Sequence, residues 1–116
     1  MDVFSALQER RSIRKYSSRP VEEEKLAKIL EAARLSPSAG NKQNWRFIVV
    51  RDSGLKDKLA STTDYKFISG APVIIAACGT DAASVMRCGQ PRHTVDLSIA
   101  TAYMILEAHV HFGIVP

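Results

Sequence analysis

Five basic residues, Arg10, Arg11, Arg14, Lys15 and Arg19, fall within ten positions that hold no acidic residue. If residues 10–14 run extended, Arg10, Ser12 and Arg14 point to one side and Arg11 and Ile13 to the other, because side chains alternate along an extended chain. Two guanidinium forks about a hydroxyl suit phosphate oxygens, since arginine donates paired hydrogen bonds in a fixed plane. The same run is open to a plainer reading, a solvated surface turn, which composition alone favours. A third reading is a nucleic-acid patch. Against it, the other lysines and arginines are interspersed with acids, and Tyr16 is the only aromatic beside the cluster.

A second stretch, SPSAGNKQNWRF from Ser36, places Ser38, Asn41, Gln43 and Asn44 within seven residues, with Gly40 among them, directly before a strand pattern. Amides and hydroxyls at a strand edge can read the carbonyl and imide edge of a heterocycle, where a charge would be out of place. A simple helix-to-strand connection built of common turn residues accounts for the composition equally well.

Other chemistries find little footing. Cys78, Cys88 and His93 are spaced by ten and five, which matches no zinc pattern, and His109 and His111 stand ~200° apart around a helix. No GxSxG elbow, GxxxxGK[ST] loop or GxGxxG fingerprint occurs.

The elements that must position these residues follow from periodicity. Asp2 can cap a short helix to about Arg10, with Val3, Phe4 and Leu7 on one face. Residues 12–18 have no helical period, and Ser17, Ser18, Arg19 and Pro20 read as a loop. From Val21, Leu26, Ile29, Leu30 and Ala33 recur at helical spacing behind Glu22, Glu23 and Glu24, and the helix should stop near Ser36-Pro37. WRFIVVRD reads as a strand, SGLKDKLAS as a short helix turning Leu55 and Leu59 inward, and APVIIAACG (71–79) as a strand buried on both faces. Residues 80–93 read as loop. The stretch TVDLSIATAYMILEAHVHFG then predicts a long helix capped by Thr94 and ended by Gly113. Leu97, Ala100 and Met104 lie on one of its sides and Ile99, Tyr103 and Leu106 on another, so a large core or a partner subunit should enclose it.

With 116 residues, 46% hydrophobic and 24% charged, the chain is expected to form one globular domain over 1–116. The net charge of +4 favours anionic partners without naming one. Two cysteines are too few for a disulfide scaffold. No apolar run approaches the ~20 residues of a membrane span, and the start lacks the order of a secretory signal, so a soluble cytoplasmic protein without a membrane partner is expected.

In order along the chain, RRSIRKY, SPSAGNKQNWRF and DLSIATAYMILEAHVHFGI resemble the flavin-dependent nitroreductase family. The resemblance implies an α+β fold, the three-layer α-β-α sandwich of that family, with the C-terminal part of the sheet missing from this chain. It implies FMN shared between the subunits of a homodimer and NAD(P)H as electron donor. Hydride would pass through the flavin to a nitroaromatic, quinone or similar small-molecule acceptor. By the same resemblance Arg10, Arg11, Ser12 and Arg14 bind the flavin phosphate, ribityl chain and pyrimidine edge. Pro37, Ser38, Ala39, Asn41 and Gln43 approach from the partner chain, Lys66 adds a polar contact, and Arg11 or Arg14 steadies the anionic reduced flavin. No protein acid, base or nucleophile is implied. Departures from the family pattern are Asn44, where many members have proline, the divergence after HFGI, and an early end to the chain. A flavin-holding or dimerising remnant without turnover is therefore the alternative expectation, and a small basic nucleic-acid-binding protein a more distant one.

Overall fold

The computed structural model describes residues 1–112 of the chain. Helix α1 (Val3–Glu9) leads through an irregular segment to helix α2 (Glu23–Leu35), a 3₁₀ turn (Ala39–Asn41) and strand β1 (Trp45–Val50). Helix α3 (Ser53–Ser61), a second 3₁₀ turn (Lys66–Gly70), strand β2 (Ile74–Gly79) and helix α4 (Arg92–Phe112) complete the order. Local chemistry sets most of these boundaries. The Asp2 Oδ1 accepts from the Ser5 N–H at 2.7 Å and the Asp52 Oδ2 from the Leu55 N–H at 2.9 Å, so two helices start on carboxylate caps. Helix α2 opens with Glu23 and Glu24 in its first turn and ends at Ser36, whose hydroxyl donates back to the Ala33 carbonyl at 2.7 Å. Pro37 follows and cannot continue it.

β1 and β2 pair antiparallel, from Trp45 opposite Gly79 to Val50 opposite Ile74. Alternation along β1 turns Trp45 and Phe47 inward and leaves Arg46 and Ile48 exposed. Against the inner side sits the core of Ile29 and Ala33 from α2 with Ala100 and Met104 from α4, joined by Trp45, Phe47, Ile75, Ala108 and Phe112. Ala33 and Ala100 are both 0% exposed, small residues at the point where the two helices lie against each other. Helices packed on an antiparallel sheet make this an α+β chain, as the sequence resemblance implies.

Some expectations fail, each for a local reason. β2 is not buried on both faces, because Ala77 and Gly79 are exposed and its other residues only half-buried. In α3, Leu55 is 52% exposed and Leu59 half-buried, and the residue turned inward is Ala60. Helix α4 begins at Arg92 rather than after Thr94, since the Pro91 carbonyl accepts from the Val95 N–H at 3.4 Å and sets the first turn. The Gly113 stop and the divergence after HFGI lie outside the described residues. Enclosure of α4 is one-sided within the chain: Asp96, Ala100, Met104 and His109 are buried, whereas Tyr103, Ile105 and Val110 are 41–46% exposed. Val3, Phe4 and Leu7 do share a face of α1, and that face is exposed too.

The first turn of α4 presses on the end of the sheet. A Cβ built at Gly79 would lie 2.7 Å from the His93 Cβ and 2.8 Å from its Cγ, so only glycine fits beneath that ring.

Candidate functional site

The amide loop is the most constrained part of the chain. Between α2 and β1 the backbone enters the left-handed region three times, at Gly40 (φ 64°), Asn41 (φ 54°) and Gln43 (φ 54°). For a residue with a Cβ this conformation costs about 1–2 kcal/mol, asparagine being among the least penalised. Several bonds hold it. The Asn41 N–H donates to the Ser38 carbonyl at 2.9 Å, the Gln43 N–H to the Ser38 hydroxyl at 3.1 Å, and the Gln43 Nε2 to the Asn41 Oδ1 at 2.8 Å. Pro37, Asn41 and Gln43 are exposed, and Ser38 and Ala39 half-buried. The loop thus offers its amides outward from a defined backbone.

Two residues of α4 reach this loop from more than fifty positions away. The Asp96 Oδ1 accepts from the Ala39 N–H at 3.0 Å, and the Arg92 Nη1 donates to the Ala39 carbonyl at 3.2 Å. The Arg92 Nε also donates to the Ser84 hydroxyl at 3.0 Å, tying in the segment before α4. Asp96 is only 3% exposed, and among the described residues its Oδ2 has no partner. Sequence reasoning passed over both residues. The available signal was an acid inside TVDLSIA, an otherwise apolar and hydroxylic helical stretch, where a buried carboxylate needs a donor.

The basic segment is held differently. Residues 10–14 lie outside any strand, with Arg10, Arg11, Ser12 and Arg14 exposed and Ile13 half-buried. Ile13 thus turns inward while the candidate phosphate ligands face solvent. The Arg11 Nη1 donates to the carbonyls of Gln8, Glu9 and Arg10 at 3.4, 3.3 and 3.0 Å, closing the end of α1. Arg14 lies with its guanidinium carbon 5.9 Å from the centroid of the Phe67 ring, a cation–π distance, and Tyr16 stands 6.2 Å from the same ring. Partial burial pushes the Tyr16 phenol above its ordinary value, with the Arg14 charge acting in the opposite direction. Lys66 is exposed at the start of the second 3₁₀ turn, next in sequence to Phe67. Just before the segment, Glu9 Oε2 comes within 3.9 Å of the buried His109 Nε2 on α4.

The predicted residues form two groups whose bonds run apart. Arg11 and Arg14 bond along α1 and onto Phe67, while Ser38, Ala39, Asn41 and Gln43 bond among themselves and to α4. Neither of two surface hollows among the described residues unites them. One, of about 350 Å³, lies between α2 and α4 beside Lys28, Leu35, Tyr103 and Glu107. The other, of about 200 Å³, lies beside Asp57, Ser61, Lys66 and Ser69, and Lys66 is its only predicted residue.

As a donor set, the two groups suit a phosphate-bearing heterocycle. Exposed guanidinium forks match the anion, and neutral amides on a fixed backbone match a carbonyl and imide edge. The structure of the loop supports that fit, because its left-handed backbone presents Asn41 and Gln43 to solvent.

Comparison with known proteins bears on both groups. Residues 7–64 match the model of the nitroreductase family. A protein of Methanothermobacter thermautotrophicus, provisionally named NADH dehydrogenase/NAD(P)H nitroreductase, is 40% identical over 111 residues, which are 94% of this chain and 56% of that protein. The FMN-dependent nitroreductase of Clostridium difficile superposes with a TM-score of 0.82 at 36% identity, over 94% of this chain and 61% of that one. A Desulfovibrio desulfuricans protein, provisionally described as a nitroreductase in complex with FMN, gives a TM-score of 0.83 at 35% identity over 94% and 63%. The chain therefore spans little more than half the length of the curated relative and somewhat under two thirds of the solved structures.

Proposed function

Because this chain belongs to the nitroreductase family, we propose that it serves as an FMN-dependent oxidoreductase, or as the FMN-holding part of one, with NAD(P)H as electron donor and a nitroaromatic, quinone or similar small molecule as acceptor. Bound FMN supplies the hydride chemistry, and the protein supplies placement and electrostatics. The observation that carries this reading is the amide loop, whose left-handed backbone points neutral hydrogen-bonding groups outward within the stretch that matches the family.

In this reading Arg10, Ser12 and Arg14 grip the phosphate and ribityl oxygens, and Arg11 exchanges its weak, exposed bonds to the carbonyls of α1 for the cofactor. Arg11 or Arg14 then balances negative charge at the pyrimidine end. Pro37, Ser38, Ala39, Asn41 and Gln43 read the ring edge, and Lys66 adds a polar contact. The 116 residues act as one unit, paired with a second copy so that the amide loop of one chain faces the arginines of the other. The separate bonding of the two groups supports such sharing, as do the exposed apolar faces of α1 and α4. The setting is cytoplasmic. No helix among the described residues is long and apolar enough to cross a membrane. The balanced lysines, arginines and acids outside residues 10–19 speak against nucleic acid.

Purified protein is expected to be yellow, with flavin absorbance that bleaches on adding NADH or NADPH and returns with an acceptor. A preparation that retains no flavin absorbance after incubation with excess FMN and removal of the unbound cofactor overturns the proposal. Flavin that is held but never bleaches would reduce it to a binding role.

A further inference from the structure

We propose that Asp96 and Arg92 are positioning residues, which together clamp the two peptide groups flanking Ala39 and so fix the amide loop in the conformation that receives the cofactor. The inference rests on the functional reading above for the identity of the ligand and on the bonding of the chain for the clamp itself. Arg92 and Asp96 lie four residues apart, one turn of α4, and so share a face. From that face Asp96 takes the N–H of the peptide entering Ala39 and Arg92 gives to the carbonyl of the peptide leaving it. Both planes at Ala39 are thereby set immediately before the three left-handed residues, Gly40, Asn41 and Gln43.

A backbone in a sparsely populated region persists only when its surroundings over-determine it. The bonds within the loop close it upon itself; its far end is tied beside the sheet, where the Asn44 carbonyl accepts from the Thr80 N–H at 3.1 Å, and its near end, at Ala39, is tied to α4. Burying a carboxylate at 3% exposure with one oxygen unpartnered among the described residues is costly, and a packed apolar residue would be cheaper there. The carboxylate makes one long-range bond, and that bond is to the loop. Gly79 and His93 complete the device, since the His93 ring lies where a side chain at Gly79 would stand and so seats the first turn of α4 against the sheet.

The test compares Asp96→Leu, which removes the acceptor, Asp96→Asn, which keeps a carbonyl oxygen for the Ala39 N–H, and Arg92→Ala, which removes the other half. Amide hydrogen exchange of the full chain without flavin reads the clamp directly. Residues 39–44 are expected to exchange at least ~10-fold faster in Asp96→Leu and Arg92→Ala, within ~3-fold of the parent in Asp96→Asn, with α2 and β1 unchanged. FMN titration then reads the consequence, a loss of ~10-fold or more in affinity for the first two variants and ~3-fold or less for the third. Equal loop protection in all four proteins overturns the inference whether or not the parent binds FMN. A faster loop with undiminished FMN affinity overturns the positioning role. If Asp96→Leu fails to fold, Arg92→Ala at its half-exposed site decides alone by the same two readings. A parent chain that shows the clamp but binds no FMN counts against the functional reading and leaves the clamp standing.

Discussion

The loop at 37–43 and the segment at 10–19 were both picked out by residue type, yet the fold treats them in opposite ways. The loop is anchored across more than fifty residues of sequence to Asp96 and Arg92, and its left-handed backbone is closed by its own bonds to Ser38. The basic segment is irregular and mostly exposed, with Arg11 bonding only to carbonyls one to three residues back and Arg14 resting on Phe67. A loop of fixed backbone suited to a rigid ring thus contrasts with an exposed set of charges suited to an anion. Geometry does the work in the first, because neutral amides bond well only when aligned. Charge does it in the second, because a guanidinium on a long stem can find a phosphate from several starting positions.

The sharpest way to break this contrast is to remove the charges. Replacing Arg10 and Arg14 together by alanine is expected to weaken FMN binding by about 2–5 kcal/mol, the worth of two charge-assisted contacts. Stability should hardly change, since both residues are exposed. Titration by flavin fluorescence alongside thermal denaturation separates the two effects. Unaltered affinity would take the segment out of the site and return it to the solvated turn that composition favours.

How much of this was readable beforehand follows the same division. Local signals were legible: Asp2 as a cap, Pro37 as the stop of α2, the alternation of Trp45 to Val50, the amide loop as a loop. What was not legible depends on partners distant in sequence. Leu55 reads as inward by spacing, but α3 has too little to pack against and buries only Ala60. The apolar run from Ala71 to Gly79 resembles a doubly covered strand, but helices α2 and α4 lie on one face of the sheet among the described residues. Asp96 and Arg92 were overlooked because nothing local marks an acid in a helix as the acceptor for an N–H at Ala39. The two halves of the candidate site were legible as residue types, and their separation in the bonding of one chain was not.

A substitution at the seam between sheet and helix sharpens the anchored side. Gly79→Ala sets a methyl group 2.7 Å from the His93 Cβ and is expected to destabilise the chain by about 1–3 kcal/mol, the usual cost of overpacking. Since the first turn of α4 must shift to relieve the contact, hydrogen exchange in 39–44 should rise more than in residues 10–19. Uniform loosening of both regions would show that the loop does not depend on the seat of α4. Pairing the change with His93→Ala, which removes the Cγ and Cδ2 contacts at 2.8 and 3.0 Å and leaves the Cβ, is expected to recover part of the lost stability as a coupling in a double-mutant cycle.

Smaller effects test the backbone of the loop itself. Gln43→Gly places the residue that tolerates φ 54° where a side chain now sits, and is expected to raise thermal stability by up to about 1 kcal/mol. It forfeits only an exposed bond to the Asn41 Oδ1. FMN affinity should fall in the same variant, because the amide that reads the ring edge is gone. Stability and binding moving in opposite directions is the signature of strain kept for a site. A variant that is less stable and binds normally would make Gln43 a structural residue alone.

The least expected effect lies at the other region, in the cap that starts α1 and so sets where Arg10 emerges. The bond from the Ser5 N–H holds the Asp2 carboxyl below its ordinary 3.8. A carboxyl depressed in the folded state contributes stability that is fully present above the unfolded value and is lost as pH falls through the folded one. Helix α1 of the parent should therefore loosen on the acid side of 3.8, and more so than in Asp2→Asn, whose amide oxygen accepts the same bond at every pH. Hydrogen exchange of residues 3–9, followed in both proteins from about pH 5 to pH 2 and corrected for intrinsic rates, isolates the difference because every other acid is common to the two. Superimposable profiles would mean that α1 is held by Ala6 and the Glu9–His109 approach rather than by its cap, and would move the anchoring of the basic segment from a local contact to the long-range kind that governs the loop.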